Sequence, residues 1–319
     1  MIPEFPEFKK LSIEDAPAVD AITTIYPTYS DYNFTSLWGW DTQDEVGLSS
    51  LNGNLVIRFT DYETGKPFLS FLGKQMVDET AEALLTHSEN HGMGNTLRLI
   101  PEVVADVLTT DSLVCTADEA NHDYVYITSK VAALEGNKYS SKRKLRNRFI
   151  RENQKHEFRV CDLSDPEVQK QVRGITTAWG ARRNIDEDAQ SIEHEIEAIE
   201  NVFTLAESRP IFAGMVFVNG VPTAFTIEEI VNGSISIGHF WKAVGGFPGE
   251  YEFLASRTAE YLVQEGVTYW NWEQDLGIPS LRASKGSYRP SKYLKKFIVS
   301  RRKPTRTKLM LLLSKLMTK

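Results

Sequence analysis

Cysteine is nearly absent from this 319-residue chain: Cys115 and Cys161 are the only two, and neither sits in a metal-ligand spacing or a disulfide framework. Both read as reduced packing residues. Long apolar runs are missing as well. Ile211 to Val218, interrupted by Gly214, and Leu309 to Leu313 fall far short of the roughly 18 residues that cross a bilayer, so no membrane span is expected. The N-terminus, Met1-Ile2-Pro3-Glu4-Phe5-Pro6-Glu7, is acidic and proline-broken where a signal peptide would be basic and then apolar. A cytoplasmic location is therefore expected. The chain has neither a Walker lysine pattern nor a dinucleotide fingerprint, which argues against P-loop and Rossmann assignments. With 41% hydrophobic and 25% charged residues it is neither disordered nor fibrous, and its length suggests two domains.

Acidic residues are also absent where it matters most. From Arg282 to Lys319 there are thirteen Lys/Arg and no Asp or Glu, and from Lys138 to Arg159 nine Lys/Arg stand against Glu152 and Glu157. These two segments hold 22 of the 36 basic residues, so the net charge of -7 hides an acidic body with two basic segments. If they converge, they would concentrate enough field to hold a polyanion such as tRNA, a phosphate cofactor or a lipid headgroup. The last stretch, Lys308 to Lys319, is short, basic and rich in Leu and Met, suited to peripheral contact with the inner face of a membrane or to packing on the body.

What is present is a repeat. Phe8-Lys-Lys-Leu-Ser-Ile13-Glu-Asp15 and Phe158-Arg-Val-Cys-Asp-Leu163-Ser-Asp165 each read as a short strand, an Asp at a helix N-cap and an amphipathic helix, Ala16 to Tyr26 and Pro166 to Trp179. Each copy continues with a strand meander, a helix and a strand. In the second copy the meander is Ile211 to Val218, Thr223 to Val231 and Ser234 to Trp241, with turns at Asn219-Gly220 and Asn232-Gly233. Ser140 to Gln154 reads as a basic helix opening the second unit.

After Trp241 the turn Lys242-Ala-Val-Gly245-Gly246-Phe-Pro-Gly249 leads into a helix from Tyr251 to Gln264, an arrangement that suits a phosphate or carboxylate. The strand Val267 to Glu273 then alternates, with Trp270 and Trp272 on one face and Asn271 and Glu273 on the other. It ends at Gln274-Asp275, and a helical turn beyond would present Arg282 and Lys285 together, so that either a ligand site or a salt-bridge cluster results. His239 shares a predicted strand face with Ile237 and Trp241 and reads first as a core histidine, with substrate binding as the minority role. The Tyr/Trp-rich stretch Tyr26 to Trp40 is read mainly as core and secondarily as a cleft wall. His194 lies between Glu193 and Glu195, but adjacent helix positions do not share a face, and no metal is expected.

Three segments, Asn271-Trp-Glu273-Gln-Asp275-Leu-Gly277-Ile-Pro-Ser-Leu-Arg282-Ala-Ser-Lys285-Gly-Ser-Tyr288-Arg-Pro290, Asp123-Tyr124-Val-Tyr126 and Leu134 to Phe149, resemble the bacterial family related to the C-terminal catalytic domain of phosphatidylglycerol lysyltransferases. The resemblance implies an α/β (α+β) fold: a tandem of two GNAT-like acyltransferase units with mixed, mostly antiparallel sheets flanked by helices. The expected divisions are 1–135, 136–303 with the active site, and a basic tail, 304–319. It also implies transfer of an aminoacyl group from aminoacyl-tRNA to a lipid or other small acceptor, with no tightly bound cofactor. Acyl-CoA as co-substrate, with N-acyl transfer, is the alternative, and a non-catalytic RNA- or anion-binding module is the third reading.

Acyl transfer needs a group to take the nucleophile's proton and donors for the oxyanion. Base or positioning duty is assigned to Glu273 or Asp275, and protonation of the leaving group to Tyr288. Substrate contacts go to Asn271, Arg282, Lys285, His239, Gly245, Gly246 and Gly249, and tRNA or other anion contacts to Lys142, Arg143, Arg146 and Arg148. The first copy is expected to be structural, walling one side of the cleft. The oligomeric state is left open.

Overall fold

A computed structural model describes residues 1–61, 64–183 and 185–302, without the side chains of 185–191; the expected tail lies outside the described residues. The first half runs β1 (Lys9–Lys10), α1 (Ala16–Thr23), α2 (Phe34–Gly39), β2 (Gly47–Leu51), β3 (Asn54–Thr60), β4 (Pro67–Leu72), α3 (Val77–Asn90), β5 (Thr96–Pro101), α4 (Glu102–Ala105), β6 (Leu113–Ala117) and β7 (Asp123–Ile127). Helices α5 (Thr128–Ala133) and α6 (Ser140–Glu152) connect it to the second. That half runs β8 (His156–Asp162), α7 (Pro166–Gly180), α8 (Ile185–Phe203), β9 (Ile211–Val218), β10 (Val221–Ile230), β11 (Ile235–Ala243), α9 (Glu250–Gln264), β12 (Tyr269–Asn271), α10 (Pro279–Ser287), β13 (Lys292–Leu294) and β14 (Lys296–Arg301). The order of strands and helices is the same in both, and the sheets are mostly antiparallel with flanking helices, as expected.

The last strands are exchanged. β7 of the first half inserts between β12 and β13 in a seven-stranded sheet, β13-β7-β12-β11-β10-β9-β8. In return β14 inserts between β5 and β6, beside the four-stranded sheet β1-β2-β3-β4. Each half thus completes the other's ladder. β4 and β5 belong to different sheets, and a register shift opposite Leu99, which has φ 55°, bends β5 where they part.

Local chemistry explains the element ends. Asp165 accepts the Glu167 N–H at 2.8 Å, the expected N-cap. Asp15 acts differently: its carboxylate accepts both the N–H and the hydroxyl of Ser12 at 3.0 Å, closing a 3₁₀ turn over Ile13–Asp15 before α1. α1 stops before the expected Tyr26, after which Pro27 disfavours helical backbone in the residue preceding it. β12 is shorter than expected because Glu273 takes φ 56°, which ends the ladder, although the Trp272 N–H still donates to the Tyr124 carbonyl at 2.9 Å.

One hydrophobic core runs through both halves, from Leu11 and Phe71 to Phe203, Phe225 and Val299. α2 packs on α8 so closely that a Cβ on Gly39 would lie 2.9 Å from Val202. Trp38 Nε1 donates to the Asn201 carbonyl at 3.1 Å across the same contact. A second cluster gathers Trp270, Trp272, Tyr126, Tyr139 and Tyr288 on the far face of the large sheet. Cys115 is exposed rather than packed, because β6 is an edge strand whose side chains past Leu113 lie at or near the surface.

With a shared core and exchanged strands, the chain is expected to unfold in a single calorimetric transition. Fragments 1–135 and 136–319 prepared separately should each lack native dispersion in NMR spectra. Two independent transitions, or one natively folded fragment, would contradict the arrangement.

Candidate active site

The exchange brings two charged residues together. Asp123 begins β7 and Lys296 begins β14, and the Lys296 amine lies 2.6 Å from Asp123 Oδ1 with both side chains sealed from solvent. Lys296 also pairs with Asp31. The Ser30 N–H and hydroxyl donate to Asp123 at 2.8 and 2.7 Å, and Asn271 Nδ2 donates to it at 3.1 Å. Gln274 Nε2 donates to Asp31 at 2.6 Å. Burial raises the Asp31 carboxyl and Lys296 pulls it back, leaving it at about 6. Burial likewise opposes the charge of Lys296, but Asp123 and Asp31 outweigh it and hold the amine above its ordinary value.

Glu273 stands two residues beyond Asn271, the end of β12, whose side-chain oxygen accepts the Glu273 N–H at 2.8 Å and holds its left-handed backbone. Strain of this kind in a non-glycine residue concentrates at functional sites. Glu273 Oε1 lies 3.3 Å from His239 Nδ1 and 3.4 Å from the Ser36 hydroxyl. On its other side His239 Nε2 lies 3.4 Å from Glu229, which receives Arg209 at 2.7 Å and Asn33 at 2.9 Å. Burial disfavours the imidazolium, yet the two carboxylates raise His239 to about 9; burial would raise Glu229, yet His239 and Arg209 bring it down to about 2.

A bulge explains why His239 reaches Glu273. Glu228 pairs with Gly238 and Ile227 with Phe240, so His239 is the extra residue on β11. The expected common face of Ile237, His239 and Trp241 is thereby broken: Ile237 is buried in register with Asn271, Trp241 packs against the aromatic cluster, and His239 turns to the carboxylates.

Glu273 opens onto a cavity of about 480 Å³ between the halves. Asp31, Asp41, Asp61, Asp118 and Glu273 line it, against the one guanidinium of Arg98, itself 2.5 Å from Asp61. The lining therefore favours a cationic ligand. Most of the lining and most of its charge come from the first half. The segment Tyr26 to Trp40 serves both purposes: Tyr29 and Tyr32 are core, while Asp31, Ser36 and Trp40 face the cavity.

The family described as phosphatidylglycerol lysyltransferase, C-terminal, matches residues 23–300. The chain belongs to this family. Among solved structures it is similar to a conserved protein of unknown function from Bacteroides thetaiotaomicron, at 24% identity and TM-score 0.80 over 95% of this chain and 100% of that one. It is also similar to L-PGS from Bacillus licheniformis, at 15% identity and TM-score 0.61 over 99% and 98%. No curated protein matches. Family and architecture together mark an acyltransferase-type fold.

None of the remaining predicted residues of this family member lines the cavity. Asp275 is fully engaged, accepting from Tyr124 at 2.6 Å, Arg282 at 2.8 Å and the Gly277 N–H at 2.7 Å. Burial would raise its carboxyl, but these donors bring it below the usual range. Arg282 and Lys285 do share a helix face, and both clamp the 272–275 segment: Lys285 donates to the carbonyls of Trp272 and Gln274, and burial lowers its amine to about 8. Tyr288 is buried against Trp272 beneath the Lys142 amine.

The glycine turn is filled from within. The Arg182 guanidinium occupies the space a Cβ on Gly245 would take, and a Cβ on Gly249 would meet the Leu145 carbonyl of α6 at 2.0 Å; Gly246 is open. Glu250 begins α9, and burial raises its carboxyl to about 7. On α6, Lys142 pairs with Glu252 at 3.1 Å, Arg143 donates to the Leu134 and Gly136 carbonyls, Arg146 to Ser256 at 3.1 Å and Arg148 to Glu152 at 2.9 Å. The two basic segments do meet, since the Tyr139 hydroxyl donates to the Tyr288 carbonyl at 3.1 Å. His194 bonds Thr42 at 2.8 Å, and no metal-binding cluster occurs among the described residues.

Asp31, Asp123, Glu229, Arg209 and Lys296 were not singled out from sequence as site residues. Glu228-Glu229 carried a legible signal, two adjacent carboxylates inside an apolar strand. Lys296 carried none, being one more lysine in a basic run.

Lys296→Met leaves Asp123 and Asp31 buried without their cation and is expected to cost about 3–5 kcal/mol, read from urea denaturation. An unmoved midpoint would remove the cluster's structural role. His239 has a folded value near 9 against 6.5 unfolded, so its contribution is complete below 6.5 and is lost as pH rises through 9. The melting temperature should fall over that window, and His239→Gln should flatten the fall.

Proposed function

We propose that the chain transfers an aminoacyl group from aminoacyl-tRNA to a small or lipid acceptor. The observation that carries this reading is the acid-lined cavity with Glu273 at its wall, which complements the ammonium of an aminoacyl ester. Of the two carboxylates considered for base duty, Glu273 faces the cavity while Asp275 is consumed by the turn it stabilises. In this mechanism the acceptor's hydroxyl or amine gives its proton to Glu273 as its heteroatom attacks the ester carbonyl. The ester C–O bond breaks and the proton passes to the departing ribose oxygen. His239, held in its charged form by Glu229 and Glu273, positions the Glu273 carboxylate at the cavity wall.

Exposed basic residues of α6, Lys144 and Arg151 beside Arg148, would lie against tRNA phosphates. Acyl-CoA is disfavoured as donor, because a pyrophosphate at the β11–α9 turn would meet Glu250 and the packed α6 backbone. Peripheral membrane contact through the tail belongs to the lipid-acceptor form of this proposal.

Glu273→Gln should lower transfer from charged tRNA by about 10²–10⁴-fold in a protein that stays folded, with a modestly lower melting temperature because His239 loses one of its two carboxylates. Undiminished turnover would refute its role. Charged tRNA should stabilise the protein more than uncharged tRNA, and acetyl-CoA should give no thermal shift. Stabilisation by acetyl-CoA alone would move the assignment to a CoA-dependent N-acyltransferase. Salt-sensitive tRNA binding with no turnover would leave an RNA-binding module.

A further inference from the structure

The seven-stranded sheet ends at β8, whose outer side no other strand covers among the described residues. With seven residues it is the longest edge strand of the three sheets, and β13, at the opposite end of the same sheet, has three. The Asn219 N–H donates to the Lys155 carbonyl at 2.9 Å, and the pairing with β9 continues in the same register through Glu157, Arg159 and Cys161. Bonded positions alternate in an antiparallel ladder, so these odd-numbered residues turn their backbone groups to β9. His156, Phe158 and Val160 turn theirs to the free edge. Among the described residues those N–H and C=O groups meet no partner.

Sheet edges are blunted by shortness, proline, bulges or charge. β8 is not short, holds no proline and pairs with β9 without a register shift. Its central charges cancel within the strand, because Arg159 Nε donates to Glu157 Oε1 at 2.8 Å on one face, with about half of each side chain exposed. Such an exposed pair contributes little by itself. Val160, on the opposite face, is 38% exposed.

The order of these residues is self-complementary. When a second copy of β8 lies antiparallel on the first with a two-fold axis at Phe158, Glu157 faces the partner's Arg159 and Arg159 faces the partner's Glu157. Both contacts fall at the closer, non-bonded positions of the ladder, and each carboxylate keeps its own guanidinium as well. Phe158 meets the partner's Phe158 and Val160 the partner's His156, and these are the positions whose backbone groups are free to bond. Lys155 falls opposite the partner's Cys161 and Gln154 opposite the partner's Asp162, so like charges never face each other. An axis at Glu157 or Arg159 would set like charges together, and an axis at Val160 would leave both residues without a charged partner across the seam.

We propose that two copies of this chain associate through β8 in this register, joining their seven-stranded sheets across a two-fold axis at Phe158. The two-fold closes the assembly, whereas pairing of β8 with a second copy's β13 would engage three residues and leave an open row of copies. β9, β10 and β11 separate β8 from β12, so the seam lies away from both cavities. The association holds whatever group is transferred.

The test is sedimentation equilibrium of the full chain across the micromolar range, where the parent is expected at twice its mass of 36.1 kDa. E157R and R159E each set like charges across the seam and should weaken association about tenfold. Mixed in equal amounts, the two variants place opposite charges at both contacts and should recover parental association. Val160→Pro removes an N–H that faces outward and serves no bond to β9, so it should leave a folded monomer, checked by far-UV circular dichroism. A parent that stays monomeric overturns the proposal. So does a dimer that survives Val160→Pro, single charge variants that associate as the parent does, or a mixture that associates no better than either variant alone. If Val160→Pro does not fold, the mixing experiment decides.

Discussion

The buried pairing of Lys296 with Asp123 and Asp31 is the constraint on which the site depends. An ammonium with no solvent exposure is tolerable only when carboxylates and hydrogen-bond donors satisfy everything around it. Ser30 from the first half and Asn271 and Gln274 from the end of β12 and the turn after it do so here. Because Asp123 and Lys296 open the two exchanged strands, their pairing fixes where those strands cross. Asn271 then touches Asp123 with its amide and the Glu273 N–H with its oxygen, so the crossing also sets the backbone of the residue facing the cavity.

The electrostatic plan follows from this. Negative charge is gathered inside, around the cavity, and positive charge is displaced outward to α6 and the α10 face. A chain with a net charge of -7 thus carries its carboxylates around the cavity and its basic clusters at the surface. His239 sits where these demands meet. It is a cation among carboxylates, kept charged by Glu229 and Glu273 and aimed by one extra residue in β11.

Much of the architecture was legible in the sequence, because the strands and helices carry their own periodicity and caps. β9 has the bounds its apolar run predicts, and Trp270 and Trp272 do face away from Asn271 and Glu273. The resemblance led to the family as well. What could not be read was anything depending on which strand lies beside which. Lys296, Asp123 and Asp31 are far apart in sequence, and only the exchange makes them neighbours. The bulge at His239 was equally hidden, since a one-residue insertion leaves the alternation intact on either side while reversing the faces beyond it. Asp275 and Arg282 had been weighed as ligand groups or as a salt bridge; the pair they form explains why the turn holds its shape.

The strand exchange bears on how such a chain can evolve. Domains are ordinarily shuffled by recombination at boundaries that few contacts cross. Here a crossover anywhere between Ile127 and Lys296 would hand each half an interior strand shaped by another lineage. Neither half is therefore a portable module. The two are tied to each other, so that a change in β7 is screened by β12 and β13 and a change in β14 by β5 and β6.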